Sequence, residues 1–278
     1  MRTRELRLTA CVAAIALAWS LSEAPRAAQP PTSQPTFETA TIKPNTSASG
    51  STRMQMLPGG RLMAENMSLQ RMVRGVFQKQ TFQITGGPPW FDTDRFDIVA
   101  KAEGNPTQSQ MIAMARVLLT ERFKLVTHIE TREQPIYELV LVKPGVLGPQ
   151  LKRSAVDCAA LMRGVPAPAP STPPAPGSRP DCGTRQSGGS VIAVIAGGLP
   201  MTEFALALAQ LVGRWVADRT GLTGGYDLDL SFTPDQAPSG DAPSLFTAIQ
   251  EQLGLKLESA RGPVEMLVID RAERPVSD

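Results

Sequence analysis

One histidine, His128, stands in a chain of 278 residues. Any mechanism that needs an imidazole as general base or metal ligand must run through that position. His128 falls in a segment, 124–130, that reads as a strand, and no Ser or Cys nucleophile stands near it in sequence. No G-x-S-x-G elbow is present, so a Ser-His-Asp arrangement leaves no mark and an ordinary strand histidine is the reading adopted. Carboxylates are the second candidates: Asp92, Asp94, Asp97, Asp227 and Asp229. In a strand, Asp227-Leu228-Asp229 puts both carboxylates on one face, a disposition suited to oxygen ligation of a hard cation or to half of a glycosidase pair. Opposite apolar Tyr226, Leu228 and Leu230, the same spacing is also that of a solvated strand face, which we adopt. The pairs Gly59-Gly60, Gly86-Gly87, Gly197-Gly198 and Gly224-Gly225 lack both the Lys-Ser/Thr of a P-loop and dinucleotide-fingerprint spacing, so they read as turns. Trp90 and Trp215 suit either ligand platforms or core and rim packing, the latter being the default. No catalytic, cofactor-binding or metal-ligating residue is assigned, and no cofactor is expected.

The cysteines are Cys11, Cys158 and Cys182. Cys11 lies in a segment laid out as a secretory signal peptide: Arg2, Arg4 and Arg7, an apolar run over 8–21, then small residues at Ser20-Leu21-Ser22 and Ala27-Ala28. A run of about 14 residues is short for a bilayer span, which needs roughly 20. Leu8-Thr9-Ala10-Cys11 resembles a lipoprotein box, but the apolar run follows the cysteine instead of preceding it. Residues 1–28 are therefore expected to be cleaved, with the mature chain starting between Glu23 and Gln29, a flexible leader at 29–36, and no membrane-spanning segment after cleavage. That places the protein in the periplasm or outside the cell. The two remaining thiols flank a Pro-rich stretch, 164–180, in an oxidising compartment, and Cys158 and Cys182 are expected to pair. Two Cys with no nearby His leave a zinc site short of ligands, and the spacing is far from C-x-x-C. A net charge of +2 without a basic run argues against nucleic acid as a partner.

Stepping from residues to elements, 37–44 reads as a strand, and 53–57 with 61–64 as a hairpin across Pro58-Gly59-Gly60. Ser68 caps a helix whose buried face is Leu69, Met72, Val73, Val76 and Phe77. A short strand at 80–85, a turn at 86–94 and a strand at 95–100 follow. Thr107 with Gln110 forms a capping box for a second helix. Segments 123–130 and 136–142 read as a hairpin across 131–135. After an insertion at 151–189, the order returns: strand 190–195, turn Gly197-Gly198, helix 202–211, strand 215–217, turn 220–225, strand 226–232, and helix 244–253 stopped by Gly254. A hairpin of 255–258 and 264–270 across 259–263 ends it. Arg95-Phe96-Asp97-Ile98 parallels Gly225-Tyr226-Asp227-Leu228, Phe123-Lys124-Leu125 parallels Leu255-Lys256-Leu257, and Pro135–Val140 parallels Pro263–Val268. The expected fold class is α+β, with two similar βαββαββ-type units (an internal duplication, 37–150 and 190–278) joined by the Pro-rich linker 151–189.

The segments FETATIKPN (37–45), LPGGRLMAENMSLQRMV (57–73), QITGGPPWFDTDRFDIVAKA (83–102), LLTERFKL (118–125), DRTGLTGGYDLDLSFTPD (218–235) and LFTAIQEQLGLKLESARGPVEMLVIDRAERP (245–275) resemble the soil-associated protein family, secreted proteins of soil bacteria defined by a domain of unknown function. The resemblance implies secretion and a shared fold, and no activity. Residues 201–230 also bear a weaker similarity to the short N-terminal domain of secretins and TonB-dependent receptors, a periplasmic interaction module. The expected function is that of a non-enzymatic interaction or binding module, with an envelope protein as candidate partner, working through exposed sheet edges or the turns 86–94 and 220–225. The alternative is a carboxylate-dependent hydrolase of cell-wall or extracellular polymer. That alternative requires carboxyl groups converging in one concave pocket about 5 to 9.5 Å apart.

Overall fold

The computed structural model describes residues 35–47, 51–162, 179–234 and 242–276. In the first half they form β1 (Thr39–Pro44), β2 (Arg53–Leu57), β3 (Arg61–Met67), α1 (Leu69–Phe77), β4 (Ile84–Gly86), β5 (Phe96–Lys101), α2 (Gln108–Arg122) and β6 (Val126–Leu141). The second half contains β7 (Leu151–Arg153), α3 (Cys158–Met162), β8 (Gly183–Ser187), β9 (Ile192–Leu199), α4 (Met201–Val212), β10 (Val216–Asp218), β11 (Tyr226–Phe232), α5 (Leu245–Ala248, continuing as a π-helical turn over Ile249–Leu253) and β12 (Leu255–Arg271). The fold is mixed α+β with three four-stranded sheets, ordered β1-β5-β3-β2, β10-β6-β12-β4 and β7-β11-β9-β8. No helix among the described residues is long and apolar enough to cross a membrane.

Local chemistry fixes the element ends. Gly59 and Gly60, at φ 76° and 72°, turn the β2–β3 hairpin. Ser68 Oγ accepts from Arg71 N at 3.3 Å and starts α1. Thr107 and Gln110 exchange hydrogen bonds at 3.3 and 2.8 Å ahead of α2. Gly254 closes the last helix in a left-handed conformation.

Four expectations change. Segments 123–130 and 136–142 are not a hairpin: β6 runs unbroken for 16 residues. Nor do 255–258 and 264–270 form one, because β12 runs for 17. The two long strands pair antiparallel with each other, from Leu255 opposite Leu141 to Ile269 opposite Thr127. Pro135 and Pro263, which mimic turn residues, lie inside that ladder opposite Arg261 and Glu133. The outer neighbours β10 and β4 touch the long strands only at 137–139 and 267–269. At each proline the strand is locally an edge, where a missing N–H is tolerated. Third, Gly197-Gly198 is not a turn but the end of β9. Fourth, 80–85 opens as a 3-10 turn, Thr81–Gln83, and only then becomes β4. The segment 151–189, read as linker, holds β7 at its start and β8 near its end. Residues 163–178, the middle of its Pro-rich stretch, lie outside the described residues, as do residues 1–28 of the expected signal peptide.

The central sheet couples the halves. β10 from the second half runs parallel to β6 of the first, while β4 from the first runs parallel to β12 of the second. The cores follow the same exchange. Leu267 and Ile269 of β12 are buried among first-half side chains such as Val73, Phe96 and Leu119. Leu139 of β6 is buried among Phe204, Leu208 and Leu228 of the second half. Each such side chain contributes roughly 1.5–3 kcal/mol of burial, so each half borrows part of its core from the other. The described residues accordingly form one compact unit.

Candidate functional site

β2 is an edge strand, paired with β3 on one side and with no described strand on the other. Alternation sends Met54 and Met56 to the same face. Opposite that face lie α1 and α2, and between them opens a cavity of about 690 Å³ lined by Met54, Met56, Leu57, Gly75, Gln78, Met111 and Ile112. Gly75, without a side chain, leaves the groove deep on the α1 side, and a β-carbon there would stand 3.8 Å from Met54 Sδ. Met54 and Met56 are half-buried and Met111 is buried, and with Gln78 and Gln108 also in the lining the walls are mixed, apolar at the methionines and polar at the two amides. Methionine is unbranched and polarizable, and it shapes itself to varied apolar groups. Beside the groove, the outer side of β2 offers main-chain donors and acceptors, the requirement for adding a strand. Sequence reading missed these residues. The available signals were the M-x-M alternation in a strand leading into a tight turn and the concentration of methionine in the first half.

The anticipated site residues sit elsewhere, and of the five aspartates only Asp227 and Asp229 stand together. Asp97 on β5 accepts from Asn66 N at 2.8 Å and from Asn45 Nδ2 at 2.8 Å. Asn66 has φ 52°, left-handed, at a register shift in the β3–β5 ladder, three residues before α1. Asp227 on β11 accepts from Gly198 N at 3.0 Å, and Gly198 has φ 61° three residues before α4. Both aspartates therefore hold the N–H of a left-handed residue where a strand turns into a helix. Asp227 and Asp229 do share a face, and the cation between them is a guanidinium: Arg179 lies 3.5 Å from Asp227 and 2.5 Å from Asp229. The hydrogen bond to Asp229 pushes the Arg179 pKa above its ordinary value, against the opposing effect of burial. Asp94 accepts from Arg274 Nε at 2.7 Å, and Asp92 is exposed. Among the described residues no group of three or more His, Cys, Asp or Glu is placed to hold a metal ion.

His128 lies on the exposed side of the long ribbon, its Nδ1 2.9 Å from the Asp270 carboxylate and its Nε2 3.9 Å from Glu130. Trp90 is buried, edge-on to Phe96 at 6.3 Å and covered by the Arg274 guanidinium at 5.3 Å. Trp215 is half-buried beside Ile136, Val264 and Met266. The turns 86–94 and 220–225 are engaged internally. Gly86 packs so closely on Ile269 O that an added β-carbon would stand 2.7 Å from it. Thr220 Oγ1 donates to Asp218 and accepts from Leu222 N. Cys158 and Cys182 are joined in a disulfide, with Cα atoms 5.5 Å apart.

The chain belongs to the family described as Protein of unknown function (DUF3738), whose model matches residues 70–272. No curated protein and no solved structure matches it.

Proposed function

We propose that this protein is an extracytoplasmic binding module that takes an extended apolar segment of an envelope protein along β2, with alternate side chains of that segment filling the methionine groove. The observation that carries the reading is the placement of a large groove, with Met54, Met56 and Met111 in its walls, directly beside an open sheet edge. Main-chain pairing to the edge supplies affinity that ignores sequence, and the groove selects apolar side chains at every second position. Location outside the cytoplasm draws on the signal-peptide layout, the resemblance to secreted soil-associated proteins and the disulfide, a bond that persists in oxidising compartments. We further infer that the halves are copies of one unit. Strands and helices follow in the same order, β1-β5-β3-β2 answers β7-β11-β9-β8, and Asp97 answers Asp227. On that reading the second copy begins at β7, and the Pro-rich stretch is an insertion between its first two strands, closed by Cys158–Cys182.

Selection of displayed heptapeptides on the purified protein tests the binding reading. The expected winners alternate apolar and polar residues, and they lose affinity by about tenfold or more when Met56 is replaced by Lys. Winners without alternation, or winners indifferent to Met56→Lys, would remove β2 as the site.

A further inference from the structure

α1 and α4 end alike. Each closes on a left-handed residue, Gln78 at φ 54° and Gly213 at φ 62°. Each is followed by a cation whose backbone N–H turns back to the helix, Lys79 N to Arg74 O at 3.1 Å and Arg214 N to Ala209 O at 3.3 Å. Both cations then reach the long strand of the opposite half, and there they meet different chemistry. Lys79 Nζ pairs with the Glu265 carboxylate on β12. Arg214 instead stacks on Tyr137 of β6, with Cζ 4.9 Å from the ring centre, and Phe246 supports that ring edge-on at 5.6 Å. An aromatic face orients a guanidinium without cancelling its charge. Among the described residues no carboxylate lies within ion-pair distance of Arg214.

Arg214 also lines a cavity of about 170 Å³ together with Trp215, Phe82, Met266 and Gln134. It lies where the turn entering β10 meets β6 and β12. A volume of about 150 Å³ is enough for one benzene ring. The lining combines Trp215, Phe82 and Met266 with Gln134 and with Arg214, whose guanidinium is held at the neighbouring Tyr137 ring. A guanidinium fork matches a carboxylate in two parallel hydrogen bonds, and fixing it beforehand lowers the ordering cost of binding.

We propose that this cavity binds a small apolar carboxylate: one aromatic or branched group bearing a single carboxyl, presented as a free acid or as the C-terminal residue of a peptide. The site is separate from the β2 groove and stands or falls independently of it.

Trp215 supplies the readout. The purified protein is titrated with phenylacetate, with its neutral isostere 2-phenylethanol, and with acetyl-Gly-Phe carrying either a free or an amidated C-terminus, following tryptophan fluorescence. Saturable binding of the acids is expected, with the neutral forms weaker by about tenfold or more, the worth of a charge-assisted pair. Arg214→Gln should lose the same factor, Arg214→Lys part of it, and Lys79→Gln none, with thermal unfolding recorded for each. Tighter binding of acetyl-Gly-Phe than of phenylacetate assigns the site to peptide C-termini, and the reverse order to free acids. The proposal is overturned if acid and neutral form bind alike, if a folded Arg214 variant binds as the parent does, or if no acid saturates by about 10 mM, the weak end of specific binding. If Arg214→Gln does not fold, the acid-to-neutral ratio on the parent decides.

Discussion

The two halves order their outer sheets alike, β1-β5-β3-β2 and β7-β11-β9-β8, and differ in the groove beside the edge strand. In the first, the edge strand β2 presents Met54 and Met56 to a cavity of about 690 Å³. In the second, the edge strand β8 presents Thr184 and Gln186 at the corresponding places, and Phe204, Leu208 and Leu211 crowd a cavity of about 230 Å³. Counted from the helix starts, the α1 glycine Gly75 stands level with Ala207 on α4. The cation after each first helix is neutralised in one half and left stacked on a ring in the other. On the proposed duplication, positions that shape the backbone keep their chemistry, as Asp97 and Asp227 do, while positions that face a cavity differ. That contrast separates architecture from binding in a chain whose family has no stated function.

The largest effect that would break this comparison is separation of the halves. Residues 35–150 and 151–278 expressed apart should each fail to give a cooperative thermal transition. Each loses the 16-residue partner ladder and the exchanged core side chains. A dispersed amide spectrum from either half alone would show that the exchange is dispensable. Next in size is the disulfide, which only the second half possesses. For a separation of 24 residues, replacing both Cys158 and Cys182 by Ser should cost about 3 kcal/mol on the chain-entropy account, read from the urea midpoint at unchanged slope. The smallest of the three sharpens the symmetry itself. Asp97→Asn and Asp227→Asn should each cost about 1–3 kcal/mol, because each weakens a charge-assisted hydrogen bond to a left-handed N–H. A large loss from one with none from the other would mean that the two aspartates do different jobs.

Much of the fold was legible because it is written locally. Ser68, the Thr107–Gln110 box, Gly59-Gly60 and Gly254 each act within a few residues, and each stands where its chemistry predicts. The long strands were not legible for the opposite reason. Gln134-Pro135 and Gly262-Pro263 carry local turn chemistry, yet pairing between strands more than 100 residues apart overrides it. The exchange of β4 and β10 leaves no periodic signature, since alternation marks a strand without naming its partner. Lys124, at φ 48°, and Gly254, at φ 68°, each take a left-handed conformation just ahead of a long strand. As for the candidate site, single aspartates drew the eye because carboxylates do chemistry, while the methionines and Arg214 gain meaning only from what surrounds them.

The most direct test of the binding account is photo-crosslinking in the native envelope from Gln55, on the open edge of β2, in the parent and in a Met54→Thr, Met56→Gln variant that gives the first groove the residues of the second. The account predicts one crosslinked partner segment from Gln55, mapped to an extended apolar stretch and lost in the variant while thermal unfolding is little changed. Equal crosslinking in parent and variant, or the same yield from Thr41 on the opposite edge of the sheet, would contradict it.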